Sequence, residues 1–270
     1  MKVFIPSYDR PRSITTPGLM PTAIDWKVVL HNDFQLKQYA SNLTLPPGRL
    51  IVSDVPISPA RIRNWILDQV PEGEWCMMLD DNITAFRGVL MPAHESDPLQ
   101  LTGSGKILNS DLSGFGFYQR AVQLTREADS IGAHYCGFSM VSNPMFRLKN
   151  YKEFGFVIGK GILIKKTDLR FDDRLLDSED LDFTAQNLER FGKILINNWI
   201  EVIKIHKNPG GCGTLEERTP NMIHASALIM EKWPGLFKYA EVENRAPGSV
   251  LKFAIDRRKL EAWRSSRPVA

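Results

Sequence analysis

The sequence predicts an α/β protein in which a Rossmann-type, mostly parallel central sheet is flanked by helices. Short apolar runs rich in β-branched and aromatic residues alternate with helical patterns through the first 80 residues, an order typical of parallel strands with helical crossovers. The chain has 270 residues, 43% of them hydrophobic, so it can bury a full core. We therefore expect polar loops along the carboxyl edge of the sheet, where open α/β sheets bind ligands.

The first half of the chain carries clear boundary signals. Lys2–Pro6 is a β-branched and aromatic run that stops at a proline, which predicts a first strand followed by a loop. Ser58 before Pro59 predicts a helix start, with serine as the N-cap and proline in the first turn. The predicted strands occupy residues 2–6, 26–31, 50–53 and 75–79.

The second half is less regular. Residues 91–113 are rich in glycine and proline and have no convincing periodicity, and a connection of this length predicts a lid or a mobile surface segment. Helical spacing, with a glycine at the end of each pattern, predicts helices at residues 117–132 and 181–191. Later strands are predicted at residues 134–141 and 156–164, and residues 222–233 and 250–263 predict peripheral helices or strands.

Composition excludes several classes of protein. No apolar run approaches the roughly 18 residues that a membrane span requires, and the residues before Pro6 are not a signal peptide. We therefore expect a cytoplasmic protein. The cysteines (Cys76, Cys136 and Cys212) are widely spaced and odd in number, which predicts reduced thiols and no zinc site.

The net charge of +3 is small, but its distribution is uneven. Residues 145–170 contain seven basic and two acidic side chains, and residues 230–270 contain nine basic and five acidic ones. Such zones suit a polyanion, and four aromatic residues in the first zone offer stacking surfaces. The alternative is a solvated basic face with core aromatics. These aromatic residues are Phe146, Tyr151, Phe154 and Phe156.

Two acidic clusters are candidate sites. Asp80, Asp81 and Asn82 follow the apolar run Trp75–Leu79, and adjacent acids at a strand end indicate either a cation site or a solvated acidic turn. Further along the chain, residues 177–182 place acids in the first turn of a helix. The helix dipole stabilises acidic side chains at that position. This cluster can therefore be interpreted either as a helix cap or as a catalytic site.

A glycine-rich segment at residues 206–214 begins with His206. It lacks the lysine-and-hydroxyl ending of a Walker loop and the spacing of a dinucleotide fingerprint. A flexible loop that bends over phosphates through backbone N–H groups is the remaining interpretation.

Four motifs together resemble those of GT-A glycosyltransferases. They lie at residues 3–10, 60–65, 79–82 and 178–182, in the order and rough spacing of that family, and the resemblance spans residues 1 to about 215. It implies a single GT-A-like domain over residues 1–270, with a nucleotide-sugar half at about 1–84 and an acceptor half at about 85–270 that ends in a basic part. The acidic turn then holds a divalent metal on the diphosphate, and the later acidic motif faces the acceptor.

Within that superfamily the chain is most similar to the phage glycosyltransferases associated with TET-like dioxygenases, through its compact size and its motifs at residues 61–64, 79–82, 177–182 and 206–213. That resemblance implies transfer from a UDP-sugar to a hydroxymethylated pyrimidine base, such as hydroxymethylcytosine, in bacteriophage DNA, with Mn²⁺ or Mg²⁺ as cofactor, in the cytoplasm of the infected host. The third residue of the metal motif here is Asn82 rather than aspartate, and a carboxamide is a neutral and weaker oxygen ligand.

The resemblance assigns roles to individual residues. If the reaction inverts the anomeric centre, Asp180 is the first choice as general base and Glu179 the second. The expected metal ligands are Asp80, Asp81, Asn82 and His206. The expected nucleotide-sugar residues are Pro6, Ser7, Tyr8, Arg10, Asp33 (or Asp54), Arg61, Arg63 and Asp80. The expected DNA contacts are Arg147, Lys149 and Lys152.

Three other functions fit the same sequence. The fold can act on a polysaccharide, protein or lipid acceptor, although the lack of a membrane anchor argues against lipid. A non-catalytic nucleic-acid-binding module with a transferase-like fold is a second alternative, to which Asn82 lends support. A nucleotidyltransferase is the third, since such enzymes also use paired acids on an α/β sheet.

Overall fold

A computed structural model of the chain describes residues 1–89, 109–143, 146, 150–205, 210–211 and 213–267. The lid predicted at residues 91–113 therefore lies mostly outside the described residues, and its last part is a strand and a helix cap. No helix in the described part of the chain is long and apolar enough to cross a membrane.

Twelve strands are present in the described residues, and ten of them form the main sheet. The strands are β1 (Lys2–Pro6), β2 (Trp26–Leu30), β3 (Leu50–Val52), β4 (Trp75–Leu79), β5 (Ile83–Val89), β6 (Asn109–Leu112), β7 (Tyr135–Ser139), β8 (Tyr151–Lys152), β9 (Gly161–Lys165), β10 (Leu195–Lys204), β11 (Phe237–Tyr239) and β12 (Leu251–Phe253).

Six α-helices accompany them in the same residues, together with 3-10 helices at Thr16–Leu19 and Arg257–Lys259. The α-helices are α1 (Asp33–Asn42), α2 (Pro59–Asp68), α3 (Gly114–Ile131), α4 (Glu179–Phe191), α5 (Leu215–Lys232) and α6 (Leu260–Ser265).

The main sheet has the strand order β3-β2-β1-β4-β9-β7-β10-β5-β6, and β8 pairs with β10. Among these described strands, seven run in one direction and only β5, β8 and β9 run the other way. The predicted α/β class with a mostly parallel sheet is confirmed. Because β1 to β4 are mutually parallel, their carboxyl ends meet at one edge.

The sheet is covered on both faces, and the alternation of side chains along each strand sorts residues between them. Val3 and Ile5 of β1 lie in the core beneath α1 and α3, whereas Phe4 lies in the core beneath α2, α4, α5 and α6. In β4, Met77 belongs to the first core and Met78 to the second. A one-residue shift in register would move each β4 side chain to the opposite face of the sheet, so packing fixes the register of β4. The position of the acidic turn after β4 is fixed with it.

Local signals predicted several boundaries correctly. Ser58 caps α2, its hydroxyl accepting a hydrogen bond from the Arg61 backbone N–H, with Pro59 in the first turn. Gly132 and Gly192 end α3 and α4 in the left-handed conformation. Helix α1 was not predicted, although Asn32 caps it by accepting from the Gln35 backbone N–H.

The strand predicted at residues 156–164 is shorter than expected, since β9 begins only at Gly161. The backbone N–H groups upstream are taken by side chains of α4 instead of a neighbouring strand. Val157 donates to Thr184 Oγ1 at 3.4 Å, and Gly159 donates to Asp180 Oδ2 at 2.8 Å. This segment therefore fastens the start of α4 to the sheet.

A second set of contacts joins α4 to the C-terminal part of the chain. Asp182 is fully buried and accepts hydrogen bonds from Trp233 Nε1 and Gln186 Nε2, both at 2.7 Å. Lys232 Nζ lies 2.9 Å from the same carboxylate. Each lone pair of the buried acid thus has a donor close by, which offsets the cost of removing the charge from water.

We expect Asp182→Ala to lower the free energy of unfolding by roughly 3–5 kcal/mol, because it leaves Lys232 and the Trp233 indole without their buried acceptor. Urea unfolding followed by circular dichroism measures this. Asp173→Ala, at an acid with 53% of its side chain exposed, is the matched control and should cost about 0.5 kcal/mol or less. Equal losses in the two variants would contradict the structural role of Asp182.

Candidate active site

The turn after β4 carries two acids in different environments. Asp81 is buried; the Ser7 hydroxyl donates to its Oδ2 at 2.5 Å, and the Arg10 guanidinium pairs with its Oδ1. The Tyr39 hydroxyl lies 2.7 Å from Ser7 Oγ and accepts the Arg10 backbone N–H at 2.8 Å. Burial raises the pKa of Asp81, and the Arg10 charge opposes that shift. Asp81 therefore organises the loop that follows β1.

Asp80 is the accessible acid of the pair, with 24% of its side chain exposed. Its Oδ2 lies 2.6 Å from Lys204 Nζ at the end of β10. Its backbone N–H donates to the Lys160 carbonyl at 3.0 Å, which continues the pairing of β4 with β9 beyond the strand ends. Asp80 thus lies at the carboxyl edge of the sheet, where Lys204 pairs with its side chain and the Lys160 carbonyl holds its backbone.

Asn82 ties the turn to the end of β10. Its side-chain amide donates to the Ile205 carbonyl at 2.6 Å, and the Ile205 backbone N–H donates to the Asn82 carbonyl at 3.1 Å. The side chain is buried, and its Oδ1 has no hydrogen-bond partner among the described residues. His206, the fourth predicted metal ligand, lies outside the described residues.

The second acidic cluster surrounds a buried arginine. Ser178 adopts a left-handed conformation (φ +59°) directly before α4. Glu179 Oε1 then lies 2.7 Å from Arg63 Nη1 of α2, and both side chains are more than nine-tenths buried. A Cβ atom on Gly159 would lie 2.3 Å from Arg63 Nη2, so only glycine fits beside the guanidinium.

The two acidic clusters, separated in sequence by β5 to β9, are joined through the neighbouring residues Gly159 and Lys160. The Gly159 backbone N–H donates to Asp180, and the Lys160 carbonyl accepts from the Asp80 backbone N–H. Burial alone would lower the pKa of Arg63, but the charges of Glu179, Asp180 and, more weakly, Asp80 raise it. The charge of Asp80 also contributes to the raised pKa of Asp180, for which burial is the main cause. The structure therefore brings together three of the acids that the sequence assigned to one site.

Burial changes the proton affinity of this cluster. It raises the pKa of Glu179 to about 7, against the opposing charge of Arg63. The pKa of Asp180 is also raised, although the Arg63 charge and the hydrogen bond from Gly159 oppose the effect of burial. Carboxyl groups shifted toward neutrality are suited to proton transfer at physiological pH.

The sequence analysis missed three charged residues: Lys204 and Lys160, which contact Asp80, and Glu201, which interacts with Lys160. Burial lowers the pKa of Lys160, and the charge of Lys204 adds to the effect, while Glu201 and Asp80 oppose it. Glu201 is buried in β10, and its Oε2 has no hydrogen-bond partner in the described part of the chain. The sequence contains one signal for Glu201, because a charged residue between Ile200 and Val202 interrupts an apolar stretch of the strand.

The glycine-rich segment contacts the loop after β1. The Gly211 backbone N–H donates to the Tyr8 carbonyl at 2.9 Å, and Arg10 Nη2 donates to the Gly210 carbonyl at 3.1 Å. A Cβ atom on Gly210 would lie 2.0 Å from the Asp9 carbonyl oxygen. The glycines at 210 and 211 therefore permit close backbone approach, and this N–H group binds protein rather than facing a ligand.

The remaining nucleotide-sugar candidates divide between the edge and the surface. Pro6 ends β1, the Tyr8 ring packs edge-on against His31 with centroids 5.7 Å apart, and exposed Asp33 begins α1 directly after β2. All three lie at the carboxyl edge. Arg61 is exposed, with its Nε 3.5 Å from Asp173 Oδ2, so it faces away from the buried cluster that holds Arg63.

The predicted DNA surface is only partly described. Arg147 and Lys149 lie outside the described residues, and Lys152 is exposed in β8. Phe154 and Phe156 pack on Phe253 with ring centroids 4.4 and 4.3 Å apart. Both rings are partly buried against the core, which supports the core interpretation, and their role in stacking on DNA bases stays a prediction.

Much of the local basic excess is used in ion pairs within the protein. In the first zone, Lys165 pairs with Asp129, and Lys166 and Arg170 pair with Asp68. In the C-terminal zone the cations that pair with acids are Lys232, Arg257, Arg258, Arg264 and Arg267. The sequence excess therefore overstates the charge available to a polyanion.

The acidic turn offers limited room for a cation. Within the described ranges there is no group of three or more histidine, cysteine, aspartate or glutamate side chains placed to hold a metal. Both oxygens of Asp81 are engaged by Ser7 and Arg10, whereas Asp80 is partly exposed. One accessible carboxylate fits a Mg²⁺ or Mn²⁺ ion that is held mainly by substrate phosphates and water. The predicted metal role stays a prediction.

Comparison with known proteins gives distant matches. No protein-family model matches the sequence, and no curated protein matches it. A solved structure of S. aureus TarS residues 1–349 in complex with UDP is similar at 15% identity and a TM-score of 0.45, covering 85% of this chain and 65% of that one. A second S. aureus TarS structure matches at 15% identity and a TM-score of 0.44, with 85% and 39% coverage.

A mycobacterial protein of known structure is similar at 11% identity and a TM-score of 0.47, covering 93% of this chain and 82% of that one. The chain spans less than two thirds of the length of either TarS structure. Similarity at this level assigns no function, so the assignment below rests on the residues at the sheet edge.

The two acids of the turn should differ in their contribution to stability. We expect Asp81→Ala to lower the free energy of unfolding by roughly 3 kcal/mol, because it leaves the largely buried Arg10 without its charge partner. Asp80→Asn, at the partly exposed pair with Lys204, should cost about 1 kcal/mol or less. Chemical denaturation of both variants gives the comparison, and an equal loss would argue against Asp81 as the organiser of the first loop.

Glu179 should make stability fall as pH rises. The folded protein retains the Glu179 proton up to about pH 7, whereas an unfolded chain releases it near pH 4.5, so the free energy of unfolding decreases between these values. The slope from one proton is at most about 1.4 kcal/mol per pH unit. Glu179→Gln should flatten it, and substitution of exposed Glu72 should not. An unchanged pH profile in Glu179→Gln would contradict the raised pKa.

Proposed function

We propose that this protein is a GT-A-like glycosyltransferase that moves a sugar from a nucleotide diphosphate sugar to an acceptor hydroxyl. The observation that carries the proposal is that the two acidic clusters lie side by side at the carboxyl edge of the sheet, where Asp80 and Asp180 bond to the neighbouring residues Lys160 and Gly159. Sugar transfer needs one group of residues at the departing diphosphate and a carboxylate at the acceptor. The two clusters supply these in adjacent positions.

The donor is assigned to the β1 side of the edge. The loop after β1 is held by the contacts of Ser7 and Arg10 with Asp81, so its backbone is fixed before substrate binds. Tyr8 and Asp33 lie at the same edge, next to the ends of β1 and β2. These residues are suited to hold the nucleoside of a UDP-sugar, since a preformed loop reduces the ordering cost of binding.

The diphosphate is assigned to Asp80 and its surroundings. A divalent ion bound there would supply Lewis-acid stabilisation of the departing diphosphate. Asp80 would hold that ion, and its fixed backbone hydrogen bond to Lys160 would keep the carboxylate in place. Asp81 supports this role indirectly by positioning Arg10 and the first loop.

The acceptor side is assigned to Asp180. In an inverting reaction the acceptor oxygen forms the bond to the anomeric carbon, its proton passes to a carboxylate, and the electron pair of the breaking bond leaves with the diphosphate. Gly159 fixes one oxygen of Asp180 by donating to it at 2.8 Å. The raised pKa of Asp180 makes the ionised carboxylate a stronger base than a solvent-exposed aspartate.

For the acceptor we propose a hydroxymethylated pyrimidine in DNA. Support comes from the compact size of the chain, from its motifs at residues 61–64, 79–82, 177–182 and 206–213, and from exposed Lys152 in β8. A polysaccharide or protein acceptor is the second candidate, favoured by the internal ion pairs of the basic zones and by the packing of Phe154 and Phe156. The two differ in whether the product is modified DNA.

Incubation with a panel of nucleotide sugars, Mn²⁺ or Mg²⁺, and hydroxymethylated DNA tests the proposal. The expected result is a mass increase of one sugar on the DNA, seen by mass spectrometry of its nucleosides. Asp180→Asn should reduce turnover by a factor on the order of 10² to 10⁴, since it removes the base and keeps the shape of the side chain. Asp173→Asn, at an exposed acid, is the matched control and should leave turnover unchanged.

Each other outcome has a defined meaning. Transfer to a polysaccharide or protein, with DNA unmodified, would reject the DNA acceptor and retain the enzyme class. Salt-sensitive DNA binding without transfer or hydrolysis of any nucleotide sugar would support a non-catalytic binding module. Release of pyrophosphate from a nucleoside triphosphate would identify a nucleotidyltransferase.

A further inference from the structure

Two lysines, Lys160 and Lys204, contact Asp80. Lys160 immediately precedes β9, and Lys204 ends β10, so the strand order brings both to the edge that β4 reaches. Lys160 is joined to Asp80 through the backbone, since its carbonyl accepts the Asp80 N–H at 3.0 Å. Lys204 is joined through its side chain, with Nζ 2.6 Å from Asp80 Oδ2.

Strand pairing places Lys204 beside the acidic turn. The end of β10 pairs with β5 so that Lys204 lies opposite Ile83, the first residue of β5. The Lys204 side chain is 25% exposed. An ammonium group has three N–H donors, so one can bind Asp80 while the others point to a ligand.

Unlike Lys204, Lys160 has no direct acidic partner in the part of the chain that the structure describes. It is partly buried, and within the described residues it has no acid at ion-pair or hydrogen-bond distance; Glu201 and Asp80 act on it only at longer range. Withdrawing an ammonium group from water without a direct partner is costly. An anion at this position would remove that cost.

Two arginines near the edge are held in ion pairs with buried acids. Arg10 pairs with Asp81, and Arg63 pairs with Glu179, and their side chains are 15% and 9% exposed. Lys204 differs from them in being more accessible, at 25%. Lysine is also a compact cation that binds phosphate as a point charge.

We propose that Lys160 and Lys204 form the binding site for the diphosphate of the donor. Lys204 keeps its contact with Asp80 and donates its remaining hydrogens to one phosphate, while Lys160 gains a direct anionic partner. This inference rests on the proposed function, and it adds protein cations to the stabilisation of the departing diphosphate. It predicts that inorganic pyrophosphate binds here even when divalent ions are removed.

Isothermal titration of the full chain with inorganic pyrophosphate and with UDP, both in EDTA, tests the proposal. We expect Lys160→Met and Lys204→Met each to weaken both ligands by a factor on the order of 10 to 100, as charge-assisted hydrogen bonds are lost. Lys2→Met is the matched control, because Lys2 is exposed at the start of β1, on the opposite edge of the sheet. It should bind both ligands as the unsubstituted protein does.

A double variant separates two causes of weaker binding. Lys204→Met leaves the Asp80 charge without its partner, and that charge alone would repel an anion. If repulsion is the cause, Asp80→Asn combined with Lys204→Met will restore pyrophosphate binding to that of the unsubstituted protein, and the Lys204 assignment is overturned. If the lysine contact is the cause, binding stays weak in the double variant.

Other results are equally decisive. Wild-type pyrophosphate affinity in Lys160→Met and Lys204→Met, or no pyrophosphate binding by the unsubstituted protein, would overturn the anion site. Thermal melting of each variant shows whether it is folded, and Lys160→Gln provides a second substitution if Lys160→Met melts early. Lysine-dependent pyrophosphate binding without transfer from any nucleotide sugar would retain the anion site and reject the glycosyltransferase assignment.

Discussion

The structure depends on the neutralisation of buried carboxylates at one edge of the sheet. Asp81 and Glu179 are both largely removed from water, and each is held by an arginine from a different part of the chain. Burying either charge alone would cost several kcal/mol. The pairs with Arg10 and Arg63 therefore fix where the first loop, α2 and the start of α4 lie. Asp80 and Asp180 are positioned as a consequence.

The acids of these clusters differ in how accessible they are to a ligand. Asp81, Glu179 and Asp182 have nearby cations or donors within the protein, whereas Asp80 retains an exposed surface. A motif of adjacent acids thus contains one residue that is buried and held by the protein and one that stays accessible. Sequence alone treats the two as equivalent, because burial is set by packing and not by residue type.

Local signals predicted what depends on a few neighbouring residues, including β1, β4, the Ser58 cap of α2 and the glycine ends of two helices. Local signals gave wrong strand boundaries where residues distant in sequence compete for the same backbone hydrogen bonds. The backbone at Val157 and Gly159 bonds to side chains of α4 instead of extending β9, and no periodicity encodes that choice. Likewise, Lys204 reaches Asp80 because the end of β10 pairs with Ile83 of β5, directly after the acidic turn, and sequence spacing does not reveal this pairing.

The contacts of Asp182 constrain how such a chain can be recombined. Asp180 and Asp182 share the first turn of α4, yet Asp180 binds the Gly159 backbone N–H whereas Asp182 binds Trp233 and Lys232. A chimera joined between α4 and α5 would inherit the acid from one parent and the indole from the other. Unless both parents carry this pair, the exchange would disturb the position of Asp180, the proposed base, through its own helix. A segment such as α5 therefore has to be exchanged together with α4, although it adds no side chain to the proposed site.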